Sequence, residues 1–183
     1  MRIFFTLIPW ILFWVLLSLH QSEPAALAGF LGTFLVVIIN SVKKRQPKIL
    51  QVGTIIFFLI LVIFAAFMDL SPFSRSIHLT GNLVITTIVL ISIITRNPFT
   101  LQYAKDSVAK EVWSSPQFIR ANYVISWVWL AVFMINLILP ILVLLGFKLP
   151  RWLGWLIPLF CFVIAIRFTK RYLKSMKLSF HIS

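Results

Sequence analysis

The sequence predicts an all-α polytopic membrane bundle, and three observations carry that prediction. Apolar residues fill 61% of the 183 positions and charged residues only 11%, against roughly 45–50% and about 25% in soluble domains. Mean hydropathy is +1.02, and the apolar residues come in runs close to the roughly 20 residues that cross a bilayer as a helix. The 17 basic residues, set against four acidic ones, fall almost wholly between or beyond those runs. About six spans fit the length, in one membrane domain with no room for a separate soluble one.

The first span covers residues 3–19, with Pro9 in its first half and Trp10 and Trp14 on one face. It lacks a small-residue cleavage site before the polar group His20, Gln21, Ser22, Glu23, and reads as a retained helix rather than a signal peptide. Pro24 opens the second span, 24–42, at a first-turn position where its missing N–H is harmless. Ala25, Gly29, Gly32 and Thr33 line one face of that span, which permits close helix approach or, alternatively, borders a substrate path. A turn with Lys43, Lys44, Arg45, Pro47 and Lys48 leads to the third span, 49–68. The connection containing Asp69, Pro72 and Arg75 leads to the fourth, 78–95. That span is rich in Ile, Val and Thr, yet its unalternating length requires a helix, because lipid leaves no other way to satisfy the backbone.

The longest polar break is residues 96–122. Asn97 and Pro98 predict a helix start, and Leu101, Ala104, Val108 and Val112 then share one side, opposite Gln102, Asp106 and Lys110. The result is an interfacial amphipathic helix between spans four and five, with Asp106 and Lys110 spaced for an i,i+4 ion pair. Ser115 and Pro116 repeat the start signal and predict a helix running unbroken into the fifth span, 121–147, after a corner at residues 113–115. The sixth span covers 152–168, and 169–183 form a basic amphipathic tail laid on the membrane surface. Trp127, Trp129, Trp152, Trp155, Tyr123 and Tyr172 sit near span ends as interfacial anchors.

Orientation follows from charge. With the N-terminus cytoplasmic, 14 of the 17 basic residues fall on inner segments and only Arg75, Lys148 and Arg151 on outer ones. The positive-inside rule then places both termini in the cytoplasm. The net charge of +13 is spread over segments beside the membrane, which favours anionic lipid headgroups over nucleic acid as the counter-surface. Lys43, Lys44, Arg45, Arg96, Lys105, Arg167, Lys170, Arg171 and Lys174 are the candidate lipid contacts, with topology-setting charge as the simpler role for the same residues.

Few residues suggest chemistry. Cys161 is the single cysteine, which excludes an intrachain disulfide and a cysteine zinc site. Asn82 and Thr86 in span four and Asn136 in span five are polar groups in mid-membrane. Such groups find partners across helices or contact a ligand. His20, Glu23, Asp69 and His78 share the outer side and include metal-ligand types, but no spacing such as HExxH joins them, so no metal and no cofactor is assigned. Nucleophile elbows, phosphate-cradling glycine loops and dinucleotide fingerprints are absent. Apart from Arg167, the spans hold no ionisable residue placed for ion-coupled transport.

Pro9 in the first span, the basic turn at Lys43 to Lys48, the Arg96 to Pro98 turn, and Asn122 leading into a Trp- and Phe-rich fifth span with Asn136 resemble the intracellular septation protein A family of bacterial inner-membrane-spanning proteins. The longer segment NPFTLQYAK points to a related branch. The resemblance implies a multi-pass bacterial inner-membrane location and a non-enzymatic role in cell-envelope maintenance or septation, as scaffold or partner-binding subunit. A lipid-handling or flippase component and a membrane enzyme with an outer-face site are the alternatives. Membrane lipids and possible membrane-protein partners are the expected company.

Overall fold

The computed structural model describes residues 3–43, 45–150 and 152–180, with side chains described from residue 5 to residue 175 within those limits. Every regular element among the described residues is helical: α1 (Ile3–Ser18), α2 (Ser22–Val42), α3 (Ile49–Phe67), α4 (Ser74–Ile94), the short α5 (Phe99–Ala104), α6 (Pro116–Leu144) and α7 (Leu153–Phe180). A 3₁₀ turn, Ser71–Phe73, leads directly into α4. Five helical segments are long and apolar enough to cross a membrane: Ser22–Val42, Ile49–Phe67, Ser71–Ile94, Pro116–Leu144 and Leu153–Ser175. These make the chain a multi-pass membrane protein by length and composition. The sixth expected span, α1, has 16 residues and is about 24 Å long at 1.5 Å per residue, shorter than the roughly 30 Å hydrocarbon layer.

The short first helix buries one face in the bundle. Leu7, Trp10, Phe13 and Leu17 form its buried stripe at the three- and four-residue spacing of a helix face. Trp10 stacks on Phe57 of α3, with centroids 5.3 Å apart and planes 10° apart, and its indole N–H donates to Thr54 Oγ1 at 2.9 Å. Trp14 meets Phe162 of α7, and Phe13 packs where Gly81 of α4 leaves room. The small-residue face of α2 has the packing role: a Cβ at Gly29 would collide with the Phe58 ring of α3, and one at Gly32 would press on Pro9 of α1. The bundle continues through contacts of α3 with α4, α4 with α6, and α6 with α7.

Three helices end in the same way. His20 (φ 60°), Arg96 (φ 57°) and Gly146 (φ 91°) are left-handed. In each case the next residue's N–H returns to a carbonyl five positions back: Gln21 to Leu16, Asn97 to Ser92 and Phe147 to Leu142, at 3.0 to 3.1 Å. This is the Schellman termination, which glycine adopts without cost and other residues do not. The sequence signals only the one at Gly146.

Three local expectations are corrected. The amphipathic helix anticipated after Pro98 stops at Ala104, and the chain is extended at Val108 and Ala109 between two 3₁₀ turns. The i,i+4 register for an Asp106–Lys110 pair is therefore lost, and Lys48 engages Asp106 instead. The basic tail is not a separate surface helix, because α7 runs without a break from Leu153 to Phe180. Trp129 is no interfacial anchor: it is 1% exposed, and its indole N–H donates to Thr169 Oγ1 of α7 at 3.2 Å. The expected start of α6 at Ser115 and Pro116, and its unbroken run into the span, agree with the structure.

Candidate functional site

Helix α5 is folded into the bundle rather than laid across it. Phe99, Thr100, Leu101 and Tyr103 are all buried, and hydroxyl and amide side chains fix the segment at both ends. Ser92 Oγ accepts the Phe99 N–H at 3.1 Å. Thr100 Oγ1 donates to the Asn122 carbonyl at 2.7 Å and stands 2.7 Å from Ser126 Oγ. Gln102 Oε1 accepts the Ile49 N–H at 2.9 Å, and its amide nitrogen donates to the Asn97 carbonyl. The helix thus satisfies a free N–H at the start of α3, a group that every helix N-terminus must satisfy.

Beside it lies the ion pair of Lys48 and Asp106, 2.8 Å apart, with the two side chains 3% and 19% exposed. The Lys48 ammonium also stands over the Tyr103 ring, 5.2 Å from its centre. A buried ammonium needs such partners, since water cannot supply them. Burial pushes the Tyr103 hydroxyl well above the usual tyrosine range; Thr6 opposes the shift and the Asp106 charge adds to it. The hydroxyl faces Thr6 without a well-formed hydrogen bond, and Gln51 Nε2, one turn along α3 from Lys48, is likewise buried without a partner among the described residues. The cluster joins α1, α3 and α5 at the basic end of the bundle.

At the opposite end, the four candidate metal ligands, His20, Glu23, Asp69 and His78, do not form one ligand set among the described residues. Among the described residues no three His, Cys, Asp or Glu side chains stand together to hold a metal ion. Glu23 Oε1 accepts the Leu70 N–H at 2.7 Å, and Asp69 Oδ1 accepts the Ser71 N–H at 2.8 Å. The bond from Ser71 holds the Asp69 carboxyl below the usual carboxylate range. Glu23 and Asp69 approach one another, while His20 terminates α1 and His78 shares a hydrogen bond with Asn82 one turn along α4. These residues shape connections and helix ends.

In mid-bundle, Asn82, Thr86 and Asn136 are buried on the facing helices α4 and α6. Asn82 donates to the His78 carbonyl at 2.9 Å, and Thr86 donates to the Asn82 carbonyl at 2.6 Å, so both bond back along their own helix. Asn136 Oδ1 is buried with no hydrogen-bond partner among the described residues.

Of the candidate lipid contacts, Lys44 lies outside the described residues. Lys43 and Arg96 are exposed, Arg45 donates to Asn40 Oδ1 at 3.2 Å, and Lys105 stands over Trp113 at 5.4 Å. Arg167, Lys170, Arg171 and Lys174 are exposed along α7. Arg167 and Arg171 line an open groove of about 530 Å³ together with Ile164, Phe168, Tyr172 and Ser175. No family model, no curated protein and no solved structure matches the chain. The site must be read from its own chemistry. The α5 cluster is closed and packed, whereas the α7 groove is open and cationic.

Sequence reasoning missed Lys48, Gln51, Thr100, Tyr103 and Ser126 as members of a site. The usable signal was the lysine at the threshold of an apolar span, since a charge there needs a partner. Nothing local shows that its partner is Asp106.

Proposed function

We propose that this chain is a non-enzymatic protein of the bacterial inner membrane, crossing it six times with both termini cytoplasmic. It acts as a scaffold or partner-binding subunit in cell-envelope maintenance or septation. The observation that carries this reading is the uneven packing of the bundle. Helices α4 and α6 bury a continuous seam against each other, and 44% of the α4 span is buried, against only 17% of the α7 span, where Leu156, Leu159 and Phe160 stand exposed. An apolar face adjoining a rigid core suits a second membrane helix, for which van der Waals packing supplies the attraction. The concentration of basic residues at one end supports the orientation, and anionic headgroups of the inner leaflet are the surface they meet.

Two measurements test the reading. Single cysteines at Gln21 and Ser107, both exposed, in a Cys161→Ala background report sidedness: Gln21 should react from outside and Ser107 only after the membrane is opened. The reverse pattern inverts the topology. A photo-crosslinking residue at Phe160 in living cells should give a discrete protein adduct that the same residue at Phe64 of α3 does not. Identical patterns at both sites count against a partner on α7. A second reading, a lipid-handling or flippase component, is favoured by the α7 groove, and transbilayer movement of a labelled lipid in proteoliposomes would support it instead.

A further inference from the structure

We infer that the α7 groove is a site for one acidic phospholipid, with its phosphate held between Arg167 and Arg171 and an acyl chain laid along Phe168 and Ile164. This goes beyond the scaffold reading and does not depend on a protein partner.

The six lining residues, Ile164, Arg167, Phe168, Arg171, Tyr172 and Ser175, are spaced three, one, three, one and three apart. They form a single stripe on one helix face. Polarity is graded along that stripe, from Ile164 at one end to arginine, tyrosine and serine at the other, which is the polarity order of a phospholipid from chain to headgroup. Phe168 and Tyr172 stack with ring centres 5.5 Å apart and planes 12° apart, making a flat aromatic wall beside the two guanidinium groups.

Depth places the groove where a phosphate is found. Trp152 and Trp155, 59% and 46% exposed, mark the far interface, as amphipathic indole rings do. From Leu153 to Arg171 is about 27 Å at 1.5 Å per residue, close to the roughly 30 Å hydrocarbon thickness. Arg171 therefore stands at headgroup level and Arg167 one turn deeper, from which a long side chain reaches up to the same plane. Ile164 falls about 10 Å below Arg171 along the axis, among the acyl chains. Neither arginine forms an ion pair with a carboxylate among the described residues. Two planar guanidiniums one turn apart match the oxygens of one phosphate, a geometry that lysine does not offer.

The test uses the full chain in a neutral detergent and a phosphate-free buffer. Retention of phosphatidylglycerol is compared with that of phosphatidylcholine of the same acyl chains, by native mass spectrometry and by the shift in thermal midpoint. Phosphatidylglycerol should be retained and should raise the midpoint more than phosphatidylcholine. R167Q/R171Q should weaken its retention about a hundredfold, on the basis of the two charge-assisted guanidinium–phosphate bonds it removes. K170Q/K174Q removes the same charge from the same helix outside the groove and should leave retention within about twofold, since it spares the pair that holds the phosphate. Equal loss in the two double variants, or equal retention of the two lipids by the wild type, overturns the proposal. Should R167Q/R171Q fail to fold, R167K/R171K keeps the charge and discards the fork. Weaker retention by that variant supports the site, and undiminished retention overturns it. Inorganic phosphate alone should not shift the midpoint; a shift matching that of phosphatidylglycerol would show that the acyl chain has no place in the groove.

Discussion

Lys48 and Asp106 stand 2.8 Å apart with the lysine side chain only 3% exposed, and that pair ties the start of α3 to the connection between α4 and α6. Removing either partner strands a charge in a place that water hardly reaches. Breaking such a pair from one side costs about 3 kcal/mol, at the lower end of the usual span because Asp106 keeps some solvent. Asp106→Leu and Lys48→Met should each lower stability by about that amount. The double variant Lys48→Met, Asp106→Leu should recover most of the loss, because a neutral apolar pair needs no compensation. A double-mutant cycle on chemical denaturation in micelles measures it. Additive losses would mean that the two charges do not act as a unit.

Thr100 offers a second test of how α5 is held. Its hydroxyl meets both the Asn122 carbonyl and Ser126 Oγ in a buried setting. Thr100→Val keeps the shape and removes both bonds, leaving polar groups of α6 unsatisfied, at a cost of about 1–2 kcal/mol. Thr100→Val together with Ser126→Ala should be less harmful than the sum of the two. Hydrogen exchange should show faster opening of residues 99–104 in the single variant, and unchanged exchange there would remove this anchor from the account.

The contrast between these anchors and the rest of the fold shows what one sequence can reveal. The long helices were legible because an uninterrupted apolar run has one backbone solution in lipid. The start of α6 was legible because Ser115 and Pro116 act locally. The close face of α2 was legible because Ala25, Gly29 and Thr33 share one side, and Gly29 does meet Phe58. The fate of α5 was not legible. Residues 101–112 carry an amphipathic period, but the partners that decide the matter, Ser92, Ser126, Ile49 and Lys48, lie on other elements. At α7 the charges Lys170 and Arg171 gave no sign that the same helix continues beyond them to Phe180. Trp129 misled for the same reason as Thr100: its partner, Thr169, is forty residues away.

Helix termination gives a prediction of opposite sign. His20 holds a left-handed conformation, φ 60°, at the end of α1, where a side chain costs about 1 kcal/mol that glycine avoids. Its candidate role as a metal ligand has no support from a neighbouring ligand set. His20→Gly should therefore raise stability by roughly 0.5–1 kcal/mol, part of the gain being offset by the greater freedom of glycine in the unfolded chain. Thermal unfolding of wild type and variant, with and without added zinc, checks both statements. A zinc-dependent midpoint in the wild type alone would restore the ligand role.

Close packing between α2 and α3 has a similarly definite signature. A Cβ at Gly29 would overlap the buried Phe58 ring, which is itself fully enclosed by Trp10, Phe13 and Phe57. Gly29→Ala should cost about 1–3 kcal/mol through overpacking, and Gly29→Ala with Phe58→Leu should recover part of it by returning volume. A substrate path along this face would predict little change in stability for Gly29→Ala, so the midpoint decides between packing and passage.

Alkaline pH separates the Tyr103 hydroxyl from its surroundings. Burial pushes its pKa up in the folded protein, against Thr6 and with the help of Asp106, whereas in the unfolded chain the phenol titrates near about 10. A raised folded value means that the unfolded chain loses its proton first. The contribution of this group to stability is therefore complete below about pH 10 and declines as pH rises beyond it. Tyr103→Phe has no such proton and should lose less stability than wild type between about pH 9 and pH 11. At neutral pH the variant should be within about 1 kcal/mol of wild type or slightly more stable, because the hydroxyl it discards makes no well-formed hydrogen bond. The comparison must be made within the pair of proteins, since Lys48 over the same ring is common to both. Parallel stability curves across the alkaline range would show that the hydroxyl is solvated rather than enclosed.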